Sequence, residues 1–160
     1  MILDKPDTPL ALGRLSLIME NIFEIRPVGI VNKNTQDVYI EIYSAYTKAL
    51  FGLDEFSHIL VLTWFHLNDT QNKREILRVH PKGNRSNPIR GVFGTRSPVR
   101  PNPIGISICE LIEIKTNIVI IDDIDMFNGS PVIDIKPCIP NSDILQKVKV
   151  PGWATGDKTR

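Results

Sequence analysis

Short runs of alternating apolar and polar residues, parted by turn-forming residues, dominate the chain from about Ile22 onward. Alternation with a period of two is the signature of a half-buried strand. Ile22–Val31 alternates imperfectly, contains Gly29 and stops before Asn32, which predicts a first strand. Val38–Tyr43 sets Val38, Ile40 and Ile42 against Tyr39, Glu41 and Tyr43 and predicts a second. His58–Leu67 is apolar on both faces, with Ile59, Val61, Thr63 and Phe65 opposite Leu60, Leu62, Trp64 and His66. Such a strand is expected at the centre of a sheet, covered on both sides. Ile104–Ile114 places Ile104, Ile106, Ile108, Ile112 and Ile114 on one face, and Ile118–Ile124 and Pro131–Ile135 are further short strands. Ser44–Leu53 is a helix candidate that Ser44 can cap and Gly52 can end. Many short strands and few helices predict a mostly β protein, a small barrel or rolled sheet without a Rossmann fold.

The chain has 160 residues, enough for one domain with a real core. Residues 1–20 show no period and are expected to form a flexible N-terminal arm, with an alternative start at Met19. Residues 21–150 are expected to form the barrel domain and 151–160 a tail. Asn68 to Pro88 is polar, basic and turn-rich and is expected to be a long surface loop, a place where function often lies.

A hydrophobic share of 42%, a charged share of 23% and a net charge of +1 are ordinary and point to no special partner. The distribution says more. Lys73, Arg74, Arg78, Lys82, Arg85, Arg90, Arg96 and Arg100 fall in one stretch opposed only by Glu75, whereas Glu110, Glu113, Asp122, Asp123 and Asp125 face only Lys115. The basic stretch is either a surface for phosphate groups or a solvated loop. No apolar run is long enough for a membrane helix, so no membrane partner is expected. Cys109 and Cys138 match no metal or redox spacing, and both read as buried small apolar residues. The cytoplasm is the expected compartment, and no metal site is expected.

The chain has no G-x-G, so dinucleotide and P-loop fingerprints are missing. H-E-x-x-H, C-x-x-C and G-x-S-x-G are absent too. The distinctive segment is Gly91-Val-Phe-Gly-Thr-Arg-Ser-Pro-Val-Arg-Pro-Asn-Pro-Ile-Gly105, in which Pro98, Pro101 and Pro103 forbid ladder pairing and stiffen the backbone. Arg96 and Arg100 are thereby presented with little freedom left to lose, which favours binding; the alternative is a loop stiffened for stability. A second run is Asp125-Met-Phe-Asn-Gly-Ser-Pro-Val-Ile-Asp-Ile-Lys-Pro137. Asn128-Gly129 signals a turn. After it Asp134 and Lys136 share one strand face, and Ile133 and Ile135 the other. The charged pair is either an exposed edge-strand ion pair or a carboxylate and amine directed into a pocket.

Thr95-Arg-Ser-Pro-Val-Arg-Pro-Asn-Pro-Ile-Gly-Ile-Ser107 resembles the T-R-S-P-x-R-P-N-P-I-G-L-S signature of the TrmO (TsaA-like) family. Asn128-Gly-Ser-Pro-Val-Ile-Asp-Ile-Lys-Pro137 resembles that family's D-G-T-P-V-L-D-I-K-P. Gly52-Leu-Asp-Glu-Phe-Ser-His-Ile59 with Trp64-Phe-His66 is similar to its G-L-E-x-F-S-H-x and W-F-H block. The resemblance implies a β-barrel methyltransferase, a homodimer with its cofactor site near the dimer interface. The cofactor it implies is S-adenosylmethionine, and the reaction is N6-methylation of threonylcarbamoyladenosine at position 37 of tRNA. By motif, His66, Leu67, Arg96, Ile106, Asn128, Gly129, Ser130 and Pro131 fall where the family contacts the cofactor. The chain departs from the pattern in lacking P-R-Q after the first strand and in carrying Gly94 for alanine, Asn128 for aspartate and Cys138 for tyrosine. It is also expected to lack the C-terminal domain of bacterial members.

In the chemistry so implied, a poor adenine N6 nucleophile gains from a group that accepts its hydrogen. Asp134 is the candidate, with Lys136 orienting it or pairing with substrate. Arg85, Arg90, Arg100 and Asn102 are the candidate RNA contacts. His66 is either ligand-facing or a satisfied core histidine. Two other readings stay open: the same fold acting on a small-molecule acceptor, and a non-catalytic protein that binds S-adenosylmethionine or RNA.

Overall fold

Six strands pair in sequence-distant order until the sheet meets itself. The computed structural model describes residues 22–143 and 147–154; the expected arm and the end of the tail lie outside the described residues. β1 (Gly29–Lys33), β2 (Val38–Ile42), β3 (His58–Trp64), β6 (Ile104–Lys115), β7 (Ile118–Ile121) and β8 (Pro131–Pro137) close a barrel in the order β1-β2-β7-β6-β3-β8. Every neighbouring pair is antiparallel. Closure leaves no long edge to aggregate, and the expected mostly β barrel with few short helices is what forms. Its inside is packed: Val31, Ile40, Ile59, Val61, Val119 and Val132 are fully buried, joined by Cys109, Ile121 and Ile124. A six-stranded barrel this narrow is filled by side chains and leaves no lumen, so any ligand must bind at a mouth or on the wall.

Several expectations are corrected in detail. The first strand begins at Gly29, and Ile22, Phe23 and Ile25 before it are exposed. Ser44–Leu53 forms two 3-10 turns, Ser44–Leu50 and Leu53–Glu55, and the Ser44 side chain does not cap the first. The third strand stops at Trp64, and His66–Asn68 is a 3-10 turn. β3 is central as expected, between β6 and β8, yet only its inner face is covered. Leu60, Leu62 and Trp64 point outward and are half-buried. Cys138 is half-buried, whereas Cys109 is buried.

Two bulges defeat strict alternation. In β6 the register shifts between Leu111 and Glu113, which returns Ile114 to the core while Ile106, Ile108 and Ile112 stay outside. In β8 Thr63 pairs with Val132 but Leu62 pairs with Asp134, so Ile133 is the extra residue and Val132 shares the inside with Ile135. The expected loop from Asn68 to Pro88 carries structure of its own. A helical turn, Gln71–Arg74, starts at Thr70, whose hydroxyl accepts from the Lys73 N–H. β4 (Arg78–Val79) then pairs with β5 (Arg90–Gly91) as a small ribbon.

Candidate functional site

Three segments that are far apart in sequence meet on the outside of β6 and line a cleft of about 840 Å³. The turn after β3 supplies Phe65, His66, Leu67 and Asn68; the proline-arginine segment supplies Arg96, Pro98 and Arg100. The run before β8 supplies Asp122 to Phe127 and Ser130, and β6 contributes Ile104 to Ile108 as one wall. The volume suits a cofactor-sized molecule.

Each segment is pinned. Trp64 Nε1 donates to Asp69 Oδ2 at 2.8 Å, and Arg74 Nε donates to Asp69 Oδ1 at 2.6 Å. The same guanidinium lies over the Trp64 ring, 5.4 Å from its centroid, and donates to the Pro101 carbonyl at 3.2 Å. Arg74 thus ties the end of β3 to the proline-arginine segment. Its partners hold the Asp69 carboxyl below the ordinary carboxylate range, the Arg74 hydrogen bond first and the Trp64 bond second. Lys73 Nζ donates to the Leu67 carbonyl at 2.9 Å and to Asn68 Oδ1 at 3.1 Å. Two cations of the basic stretch are therefore spent on holding the turn.

The Asn128-Gly129 turn is pinned to β1. Gly129, at φ +81, donates its N–H to the Val31 carbonyl at 2.8 Å, a backbone conformation that side chains disfavour. Lys33 N–H donates to Asn128 Oδ1 at 2.8 Å, and Lys33 Nζ donates to Asp123 Oδ1 at 3.3 Å and to the Ile124 carbonyl. Below the turn, Thr63 Oγ1 donates to Met126 Sδ at 3.0 Å. A Cβ at position 105 would lie 2.7 Å from Thr63 Oγ1 and 2.8 Å from both Met126 Cε and Phe65 Cζ. Glycine at 105 is what lets the three segments close on one another.

The cleft has a polarised lining. Arg96 and Arg100 stand on the proline-arginine side; Asp122, Asp123 and Asp125 stand on the other. Asp122 Oδ1 accepts the Glu110 N–H at 2.8 Å and Asp123 Oδ1 accepts the Ile124 N–H at 2.7 Å, which fixes both carboxylates. In the turn after β3, His66 Nδ1 is buried with no hydrogen-bond partner among the described residues. A buried polar atom left unpaired costs stability, and its natural remedy is a ligand.

A family description fits these residues. The tRNA-methyltransferase O N-terminal domain matches residues 24–144. The chain belongs to the TrmO family. A probable S-adenosyl-L-methionine-binding protein of Methanocaldococcus jannaschii is 45% identical over 115 residues, covering 72% of this chain and 91% of that protein. A tRNA (adenine(37)-N6)-methyltransferase of Mus musculus is 42% identical over 103 residues, 64% of this chain but 23% of the mouse protein. A crystal structure of TrmO from Pseudomonas aeruginosa superposes with a TM-score of 0.64 at 26% identity, over 81% of this chain and 62% of that one. The chain thus spans most of its archaeal relative and less than two thirds of the solved TrmO chain.

Of the residues singled out in the sequence of this TrmO-family barrel, the cleft gathers His66, Leu67, Arg96, Arg100, Ile106 and Ser130. Asn128, Gly129 and Pro131 shape the adjoining turn and do not line it; the Asn128 oxygen is engaged by Lys33, and Pro131 pairs with Ile30. Asn102 is also outside the lining, its carbonyl accepting the Ile104 N–H at 2.8 Å. Arg85 and Arg90 lie on or beside the β4–β5 ribbon, and Arg90 donates to the Ile89 carbonyl at 2.9 Å. Asp134 and Lys136 form an ion pair of 2.7 Å on the outer wall, which the single barrel does not bring into the cleft. Asp134 borders a separate hollow of about 300 Å³ beneath Tyr46 and Leu50. The pair raises the Lys136 ammonium above the ordinary lysine range, by its hydrogen bond to Asp134 first. Lys33, Phe65, Asp122, Asp123, Asp125, Met126 and Phe127 are site residues that motif reasoning missed. The acidic run was visible as charge asymmetry, but nothing in the sequence set it opposite Arg96.

Proposed function

We propose that this protein is an S-adenosylmethionine-dependent methyltransferase that methylates N6 of the modified adenosine at position 37 of tRNA. The observation that carries the reading is the convergence of the proline-arginine segment and the acidic run leading into the Asn-Gly turn on one cleft with opposed charges and a buried imidazole nitrogen that has no partner among the described residues. S-adenosylmethionine is a zwitterion with a carboxylate, an ammonium, a sulfonium, two ribose hydroxyls and an adenine. The residues present fit it: Arg96 and Arg100 suit the carboxylate, the aspartates suit the ammonium and hydroxyls, and Leu67, Ile104 and Ile106 suit the flat base. When bound, the cofactor supplies a methyl group open to in-line displacement. The chain's residues hold and align the partners and keep water away.

The acceptor side rests on the basic ribbon. Arg78, Lys82, Arg85 and Arg90 follow one another across β4, its turn and β5, suited to track a phosphate backbone. Within this reading Asp134 accepts the N6 hydrogen and Lys136 orients it. In register Asp134 is opposite Leu62, which is opposite Ile106 of the cleft wall, so the pair is about 10 Å from that wall, two strand spacings away. A homodimer joins the two. Ile106 and Ile108 are 47% and 61% exposed opposite Leu62 and Leu60, and a second copy covering that face encloses the cleft wall and the ion pair together. The same reading places the protein in the cytoplasm with its substrate.

Calorimetry with S-adenosylmethionine and mass spectrometry of tRNA nucleosides from cells with and without the gene test the reading. Binding, and loss of the position-37 methyl in the deletion, are expected. No binding would overturn it; binding with unchanged nucleosides would move it to a small-molecule acceptor or a non-catalytic role.

A further inference from the structure

Phe127 is an aromatic ring kept out of the core, on a backbone tied down beside the cleft. It lines the cleft, yet 68% of it is exposed. Its neighbours show that exposure here is imposed by the backbone. Ile124 is buried in the barrel core, Met126 is packed against Thr63 and the core, and Ser130 is buried. The Phe127 carbonyl accepts the Ser130 N–H at 3.1 Å, closing the turn. The next two residues are tied to β1 through Asn128 Oδ1 and the Gly129 N–H. A large apolar side chain on a fixed backbone, facing solvent beside charged walls, has no folding role to explain it. It offers a flat face on a backbone that the turn already fixes.

We propose that Phe127 is the stacking platform for the acceptor nucleobase, which makes it a positioning residue for the transfer. The inference rests on the methyltransferase reading for the identity of the base. The ring's place in the cleft favours the acceptor over the cofactor's own adenine. His66 Nδ1 and Ser130 are buried polar groups of the lining, and a cofactor that pairs with them sits deeper than the exposed ring. Phe127 is the exposed part of the lining, open to a partner that arrives after the cofactor is seated. A phenyl ring stacks on any base, so it would hold a modified adenine flat without reading its edge, leaving recognition to other groups.

The test uses the full chain and three proteins: wild type, Phe127→Ala and Phe127→Trp. With tRNA as acceptor, Phe127→Ala is expected to raise KM for tRNA roughly ten- to a hundredfold, the value of a lost base stack. Its affinity for S-adenosylmethionine in calorimetry is expected to stay within about twofold of wild type. Phe127→Trp is expected to restore KM. The indole introduced there should be quenched when an adenosine-containing anticodon-loop oligonucleotide is added, measured against the wild-type signal of Trp64 and Trp153. An unchanged KM in Phe127→Ala, or a loss confined to cofactor affinity, would overturn the inference while leaving the enzyme assignment in place. If the wild type methylates nothing, the quenching experiment still decides: quenching keeps Phe127 as a base platform, and its absence removes it.

Discussion

The side-chain oxygen of Asn128 accepts a hydrogen bond from the backbone N–H of Lys33 at 2.8 Å. The TrmO motif carries aspartate at this position, and either side chain offers an oxygen to that N–H. The relationship also changes what the residue does. Asn128 shapes the site by locking the turn to β1 and does not line the cleft itself.

Replacing Asn128 should therefore separate by chemistry. Asn128→Asp keeps an acceptor and should leave stability and cofactor affinity near wild type. Asn128→Ala leaves the Lys33 N–H without its partner and should cost about 1 kcal/mol, roughly 2–4 °C in Tm for a domain of this size. Cofactor affinity should fall with it as the turn loosens. Thermal melts and calorimetry on the two variants check this, and equal loss in both would show that the amide itself contacts ligand.

The strands were legible from alternation because the barrel interior is a strict chemical filter: Ile40, Val61 and Val119 could not be polar. What alternation could not reveal was where it breaks. The bulges beside Ile112 and at Ile133 reassign Ile114 and Ile135 relative to their neighbours, and a bulge leaves no compositional mark. The proline-arginine segment was legible as stiff because proline acts locally. The partners of Arg74 were not, since Asp69, Trp64 and Pro101 meet only once β3 and β6 are adjacent. Asp134 and Lys136 did share a face as alternation required, but a shared face says nothing about which side of the barrel the cleft occupies.

Cys109 should be chemically silent in the folded protein. Burial first, then Asp122 and Asp123, push its thiol up to about 12 from the usual 9.0. At mildly alkaline pH its thiolate fraction is about a thousandfold below that of a free thiol. Thiol titration of the native protein should thus modify the half-buried Cys138 first, and Cys109 only on adding denaturant. Rapid native labelling of Cys109, read by peptide mass spectrometry, would contradict the packed barrel interior.

Asp69 predicts an acid-side effect with a definite sign. Its carboxyl is held below the ordinary range in the folded state by Arg74 and then Trp64. A depressed folded value means the stabilisation is fully present above the unfolded carboxylate pKa, about 3.9. It is lost as pH falls through the folded value. The group is partly exposed, so solvent screening keeps the effect small. Asp69→Asn should therefore be slightly less stable than wild type at pH 7, with the gap closing below about pH 4. A gap that persisted unchanged into acid would mean the network contributes through packing of Arg74 on Trp64 alone.

The outer wall yields the last expectation. Ile108 is opposite Leu60, and Ile106 opposite Leu62, so four apolar side chains form a continuous patch on the outside of two adjacent strands. Scattered exposed isoleucines need no explanation, but contiguous ones on a sheet face signal a partner. If that partner is a second copy, as proposed, Ile108→Glu places a charge where the interface would be driest. Sedimentation equilibrium should then show wild-type dimers and variant monomers. Because Ile108 is 61% exposed in the single barrel, any loss of Tm should come from lost association and should grow with protein concentration. tRNA methylation should fall in the monomer if the ion pair of Asp134 and Lys136 works across the interface. Wild-type protein that stays monomeric at high concentration would remove both the dimer and the route by which that pair reaches the cleft.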